Sequence, residues 1–333
     1  MFEIPIVLFI FKRPEKTVQI IKHISIIQPR KIYLIGDGPR NDDEKQNVFS
    51  CRKAVEKVIP KDCELIKNYA NVNRGVYENI AGGAKWVFEK EKWAIFLEDD
   101  NFPELSFFPF CEEMLHKYEH DSRILWVCGT NYLKEYNFPD GATYGFTQNM
   151  MPCGWASWSS KFLKYYEGDL EKWKYPSVKN GIKSLSYYRL LKKQDMSNWD
   201  MELRHLNHFG RFASWDYQMS FTLRIHNLFG IVPAYNQIKN IGVDENSIHG
   251  GTSYKNEMTS RFCGLPTKQI SFPLIHPKTI IPDKKFEIRV SKIITLPFAL
   301  RLRVKINKFI KGILKIDEFT SLSSIVRNLY RRK

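Results

Sequence analysis

The 333-residue chain has no CxxC pair: its six cysteines, Cys51, Cys63, Cys111, Cys128, Cys153 and Cys263, lie far apart. That excludes a zinc-ligand pattern and a dense disulfide framework, and points to free thiols in a reducing compartment. No apolar run approaches the roughly 18 residues of a membrane span. The apolar stretch Met1 to Phe11 has no basic residue ahead of it and runs straight into Lys12-Arg13-Pro14. It reads as a first core strand rather than a signal peptide. Neither GxGxxG nor GxxxxGK[ST] follows that strand, so a dinucleotide fingerprint and a P-loop are both absent. Phosphates would have to be held another way, by a metal at an acidic strand end and an arginine at a neighbouring one.

A hydrophobic content of 43% with 14% aromatic residues describes a folded chain, long enough for one large α/β domain or two smaller ones. The net charge of +15 is unevenly spread. Residues 289–333 hold twelve Lys or Arg against two Asp or Glu, so two thirds of the excess belongs to the tail. That argues against a specific nucleic-acid binder, whose basic footprint would mark the folded face.

The organising stretch is Trp93-Ala94-Ile95-Phe96-Leu97-Glu98-Asp99-Asp100. Five apolar, β-prone residues read as a strand buried on both faces of a parallel sheet. Three carboxylates cannot stay in such a core, so they emerge at the C-terminal sheet edge, where open α/β folds bind ligands. Packed so closely they repel one another, and a hard cation, Mg²⁺ or Mn²⁺, would relieve the repulsion and hold a diphosphate. The other reading is an acidic strand-to-loop turn with solvated side chains. Upstream, strands at Pro5 to Phe11, Lys31 to Ile35 and Cys63 to Ile66 alternate with helices over 17–27, 42–58 and 76–88. This predicts a parallel sheet with helices on its faces.

After Asp100 the pattern changes. A helix over 107–118, a strand Ile124 to Cys128 and a short strand Tyr144 to Phe146 lead to Met151-Pro152-Cys153-Gly154-Trp155-Ala156-Ser157-Trp158. Indole faces beside small residues can stack on a sugar ring, which makes Trp155 a candidate acceptor contact; ordinary core tryptophans fit as well. A polar, basic helical stretch spans 169–198. Asp216, between Trp215 and Tyr217, is a candidate general base. Ser214 could instead be a helix N-cap with Asp216 in the first turn, and the two readings are compatible. His249, beside Gly250 and Gly251, could reach a metal or a phosphate. Pro266, Pro273, Pro277 and Pro282 prevent regular structure over 265–288, a strap or linker. From Leu300 to Lys315 apolar and basic residues alternate as in a basic amphipathic helix. Such a helix lies on an anionic membrane surface or packs on a domain with its basic face in solvent.

Together these segments resemble a nucleotide-sugar glycosyltransferase of the GT-A fold, bacterial family-2-like and similar to the N-acetylglucosaminyltransferase I group. The likeness covers residues 3–285 and is carried by Phe11-Lys12-Arg13-Pro14, Gly36-Asp37-Gly38, Asn73-Arg74-Gly75, Leu97-Glu98-Asp99-Asp100 and Ser214-Trp215-Asp216-Tyr217-Gln218. It implies a Rossmann-like, mixed, mostly parallel sheet in a catalytic domain over 1–264, with a nucleotide-sugar half to about 130, and then the strap and the tail. It implies nucleotide-sugar contacts from Arg13, Asp37, Arg74, Glu98 and Asp99, metal ligation by Asp100 and catalysis by Asp216. The expected cofactor is Mn²⁺ or Mg²⁺, the donor a UDP-sugar, and the acceptor a glycan or polyprenyl-linked glycan. The expected location is cytoplasmic, at the inner face of the cell membrane. The insert at 169–198 departs from the pattern and leaves Asp200 as a rival base. Two further readings stand beside this one: a sugar-1-phosphate nucleotidyltransferase and a non-enzymatic basic binding protein.

Overall fold

The computed structural model describes residues 1–243 and 253–322. Its centre is an eight-stranded sheet. In chain order the strands are β1 (Ile6–Ile10), β2 (Lys31–Gly36), β3 (Glu64–Tyr69), β4 (Trp93–Glu98), β5 (Asn101–Pro103), β6 (Ile124–Cys128), β7 (Tyr144–Thr147), β8 (Trp155–Trp158), β9 (Phe229–Pro233) and β10 (Ile238–Asn240). The large sheet runs β3-β2-β1-β4-β8-β6-β9-β7, and β5 pairs with β10 in a separate two-stranded ribbon. Six of the eight strands are parallel to one another, while β8 and β7 run antiparallel to their neighbours. The sheet is therefore mixed, mostly parallel and flanked by helices, as expected from the sequence.

The first half follows its hydrophobic pattern closely. Every residue of β1 is buried, as are Ala94 to Leu97 of β4, because helices cover both faces. Pro14 opens the helix Pro14–Ile24, where its missing N–H has no intrahelical partner to lose. Asn41 caps the helix Asp42–Glu56 by accepting from the Glu44 amide. The helix expected over 76–88 starts at 76, passes through a π-helical turn, Glu78–Gly82, and is regular again at Gly83–Phe88.

The second half holds what periodicity could not reveal. Trp155–Trp158 is strand β8, threaded antiparallel between β4 and β6. Four residues are too few for a period, and the segment's aromatics read as core or as a surface for a sugar. The basic insert folds as helices Pro176–Ser184 and Arg189–Phe209 around a small core of Leu170, Trp173, Ile182, Trp199, Phe212 and Phe221. Residues 265–283 are without helix or strand, and regular structure resumes at the helix Lys284–Ile294, inside the stretch 265–288.

The chain divides into two compact units, Met1–Lys292 and Ile293–Lys333. In the second, the helix Phe298–Ile313 places Phe298, Leu302, Ile306, Phe309 and Ile313 on one face, with Arg301, Arg303, Lys305, Lys308 and Lys311 on the flanks and the back. Among the described residues, no helix is long and apolar enough to cross a membrane.

Candidate active site

Strands β1 and β4 are parallel neighbours, so their C-terminal ends open at the same sheet edge. That edge brings Arg13 to the acidic triplet. Arg13 donates to Asp99 Oδ1 at 3.2 Å and to Asp100 Oδ2 at 2.9 Å, while the Phe11 amide donates to Asp99 Oδ2 at 3.2 Å. Asp99 is only 8% exposed. Burial and the Asp100 charge push its carboxyl up to about 6, against the opposing pull of Arg13 and the Phe11 amide. The Glu98 carboxyl is pushed well above the ordinary range by burial and by the charges of Asp100, Asp99 and Asp216. The carboxylate crowding anticipated from the sequence is therefore present, and one guanidinium offsets part of it.

Asp100 is approached from a second side. Asn101 Nδ2 donates to its Oδ1 at 2.7 Å, and the Ile241 amide donates to its backbone carbonyl at 2.8 Å. A Cβ on Gly242 would stand 2.2 Å from Asp100 Oδ2, so a side chain where this chain segment passes would push the carboxylate out of place. His249, expected as a metal ligand, lies outside the described residues.

Asp37 and Arg74 sit next to one another at the ends of β2 and β3. Asp37, 6% exposed, accepts from the amides of Gly38, Arg74 and Gly75 at 2.8, 2.7 and 3.1 Å and from Asn73 Nδ2 at 2.8 Å. Its carboxylate thus pins the 73–75 loop onto the β2 end. Gly38 makes the close approach possible, since a Cβ there would lie 2.3 Å from the Val72 backbone. Arg74 turns inward, donating to Asn79 Oδ1 at 3.0 Å and more distantly to Asn68 and Gly36.

Trp155 requires a correction. It is 2% exposed, and its indole is sandwiched between Phe96, with centroids 3.9 Å apart, and Trp126, 4.4 Å apart. Phe9, Phe96, Trp155 and Trp126 form a ladder of stacked rings across β1, β4, β8 and β6. With both faces covered by neighbouring strands, Trp155 has no face to offer a sugar, and the acceptor role expected of it falls away.

The ladder instead seats Trp215, whose ring lies 5.5 Å from Trp155 and 5.9 Å from Trp126. Tyr166 fixes the Trp215 carbonyl with a 3.0 Å hydrogen bond. Asp216, next in the chain, opens the helix Asp216–Ile225. It is half-buried, and its charge acts on Glu98 across the site. Ser214 Oγ donates to Asp216 Oδ1 and accepts from the Asp216 amide, but the N-cap is Trp215 rather than the expected Ser214, while Asp216 does lie in the first turn. Asp200 lies elsewhere: its carboxylate accepts from Trp173 Nε1 at 2.9 Å and is half exposed. It stands two residues, and so about 200° of helix, from Glu202, the residue that does face the 213–218 segment.

Glu202 was not anticipated. It is a fully buried acid in an otherwise polar, basic helix, and only its spacing of three from Trp199 hinted at a shared inward face.

For a divalent cation the chemistry of the donor set fits. The edge offers hard carboxylate oxygens whose mutual repulsion a cation would lower. Among the described residues, no three His, Cys, Asp or Glu converge on one point. A Mg²⁺-type ion held by one or two carboxylates, with the rest of its shell completed by phosphates and water, needs no such cluster.

No protein-family model matches this chain, and no curated protein sequence matches it. Similar solved structures include HddC from Yersinia pseudotuberculosis, at 15% identity over 34% of this chain and 55% of that one, with a TM-score of 0.25. They also include mouse xyloside xylosyltransferase 1 in its apo form, at 8% identity, 66% and 81% coverage and a TM-score of 0.32. A third is UDP-glucose pyrophosphorylase complexed with UDP-glucose, at 7% identity, 71% and 93% coverage and a TM-score of 0.31. The chain spans about half the length of HddC. Likenesses this distant carry no argument about activity, which rests on the geometry above.

Proposed function

We propose that this protein is a metal-dependent, inverting GT-A glycosyltransferase that moves a sugar from a nucleotide-diphosphate donor, a UDP-sugar, to a hydroxyl of a glycan or polyprenyl-linked glycan. The observation that supports it is the convergence of two separate carboxylate groups on one sheet edge. The Glu98-Asp99-Asp100 cluster ends β4, and Asp216 arrives from far along the chain with its charge felt at Glu98. Two acid sites with different surroundings suit two different tasks.

In this reading the acceptor hydroxyl gives its proton to Asp216. Its oxygen then forms a bond to the anomeric carbon as the bond from that carbon to the diphosphate oxygen breaks on the opposite face. Asp100 would hold Mn²⁺ or Mg²⁺, which supplies charge neutralisation for the departing diphosphate. Arg13, already lodged on Asp99 and Asp100, adds a permanent positive charge beside the same phosphates. Asp37 acts through the 73–75 loop that it secures, presenting that loop to the nucleotide.

Incubation of the protein with UDP-sugars, Mn²⁺ and a panel of glycan and lipid-linked acceptors, reading UDP release, tests this proposal. UDP release that depends on acceptor and is lost in Asp216→Ala supports it. Pyrophosphate release from a sugar phosphate and UTP, retained by Asp216→Ala, would establish the nucleotidyltransferase reading instead. Residues 289–333 fit docking at an anionic membrane surface, because apolar and basic faces lie side by side on Phe298–Ile313. Anionic liposomes should sediment the full chain and leave a chain lacking 289–333 in solution; equal partitioning would remove the membrane argument.

A further inference from the structure

The helix Arg189–Phe209 grips the Asp216 segment from both sides with two residues of one face. On the upstream side, Glu202 Oε2 accepts from the amides of Ala213 at 2.9 Å and Ser214 at 3.3 Å, and from Gln218 Nε2 at 3.3 Å. On the downstream side, Trp199 Nε1 donates to the Tyr217 carbonyl at 2.9 Å and to Ser220 Oγ at 3.2 Å. Asp216 lies between these anchor points, and its carboxylate accepts from Ser214, whose own amide Glu202 holds.

Glu202 is 0% exposed, an uncommon place for an acid with no cationic partner among its described contacts. Burial pushes its carboxyl up, opposed by the amides of Ser214 and Ala213. Its Oε1 and the Oε1 of Gln218 are both buried without a hydrogen-bond partner. One carboxyl oxygen of Glu202 thus accepts from three donors of the 213–218 segment.

We infer that Glu202 is a positioning residue: it fixes where the chain turns into the Asp216 helix, and thereby where the Asp216 carboxylate meets the acceptor. The inference rests on the glycosyltransferase reading for its catalytic consequence, but not for its structural one. Glu202→Gln keeps one carbonyl acceptor and nearly the same shape. Glu202→Ala removes the acceptor and leaves two part-buried amides unpaired.

The test combines amide hydrogen exchange over 213–218 with steady-state kinetics for wild type, Glu202→Ala, Glu202→Gln, Asp216→Ala and the Glu202→Ala/Asp216→Ala double variant. In Glu202→Ala, exchange over 213–218 should quicken by at least about tenfold while β1 and β4 keep their protection. Its kcat should fall by about 100-fold at nearly constant donor KM, the scale of a misplaced catalytic group. Glu202→Gln should restore both, and the double variant should be no slower than Asp216→Ala alone. Unchanged exchange in Glu202→Ala, a failed Glu202→Gln rescue, or a loss confined to KM would overturn the inference. If wild type transfers no sugar yet Glu202→Ala loosens 213–218 and Glu202→Gln does not, the functional reading fails and the positioning role stands.

Discussion

The two sides of the candidate site are held in different ways. At the sheet edge, Arg13, Asp37 and the acidic triplet sit at the ends of neighbouring strands, and their contacts are short reaches between adjacent loops. On the helix side, Asp216 sits at the start of a helix whose placement depends on a stacked aromatic ladder beneath it and on Glu202 from an inserted helix. The strand-end cluster is thus a property of the sheet, while the position of Asp216 is a property of packing between separate elements. Damage to the insert should leave nucleotide binding intact and spoil turnover; damage to the sheet edge should spoil both.

The sharpest break in that contrast comes from the two acids themselves. Asp100→Ala and Asp216→Ala should each lower transfer by about 10² to 10⁴-fold. Isothermal titration with UDP and Mn²⁺ should show binding lost only in Asp100→Ala. Loss of nucleotide binding in both would merge the two sides into one.

Trp155→Ala should lower stability by about 3–5 kcal/mol in denaturant melts, because it opens a gap in the middle of the ring ladder. Trp215→Ala, beside the ladder rather than within it, should cost less stability but a larger share of kcat. Equal costs from the two would deny that the ladder serves as a platform for the Asp216 segment.

Arg13→Ala leaves three crowded carboxylates without their cation. It should cost about 3 kcal/mol in metal-free buffer, the scale of breaking one side of a buried ion pair. Added Mn²⁺ should raise the melting temperature of Arg13→Ala more than that of wild type, read by thermal shift. An equal rise in both proteins would argue that the cation does not bind where Arg13 sits.

The smallest expected effect lies in the insert. Burial raises the Asp195 carboxyl to about 6, against the pull of Arg224 and the Tyr187 hydroxyl. A carboxyl whose folded value lies above its unfolded value of about 3.8 binds protons more tightly in the folded state. Its contribution is therefore complete below that value and is lost as the pH rises through about 6. Stability in wild type should fall by about 2–3 kcal/mol across that window, and Asp195→Asn should flatten the fall. An unchanged slope in Asp195→Asn would assign it to other groups.

How much of this was legible in the sequence differs between the two sides for the same reason. Strands β1, β2 and β4, the proline at the helix start and the acids at the β4 end were all readable. Burial on both faces writes a continuous apolar run, and a charge cannot stay inside it. Strand β8 was not, since its four residues carry no period and its tryptophans fit several roles. Trp155 looked like a sugar platform because composition shows that a ring is present but not what covers its faces. Asp200 stood out as a rival base and Glu202 did not, and only the way their helix lies against residues 213–218 reverses that order.

The sequence by itself therefore determined the alternation of elements, the acidic edge and the uneven charge, each of which follows from neighbouring residues and from the cost of burying charge. Only the tertiary structure decided that the charge of Asp216 acts on Glu98, that Trp155 is closed off and that Glu202 holds the helix start. Those depend on which surfaces of separate elements pack against each other, and no local pattern records that choice.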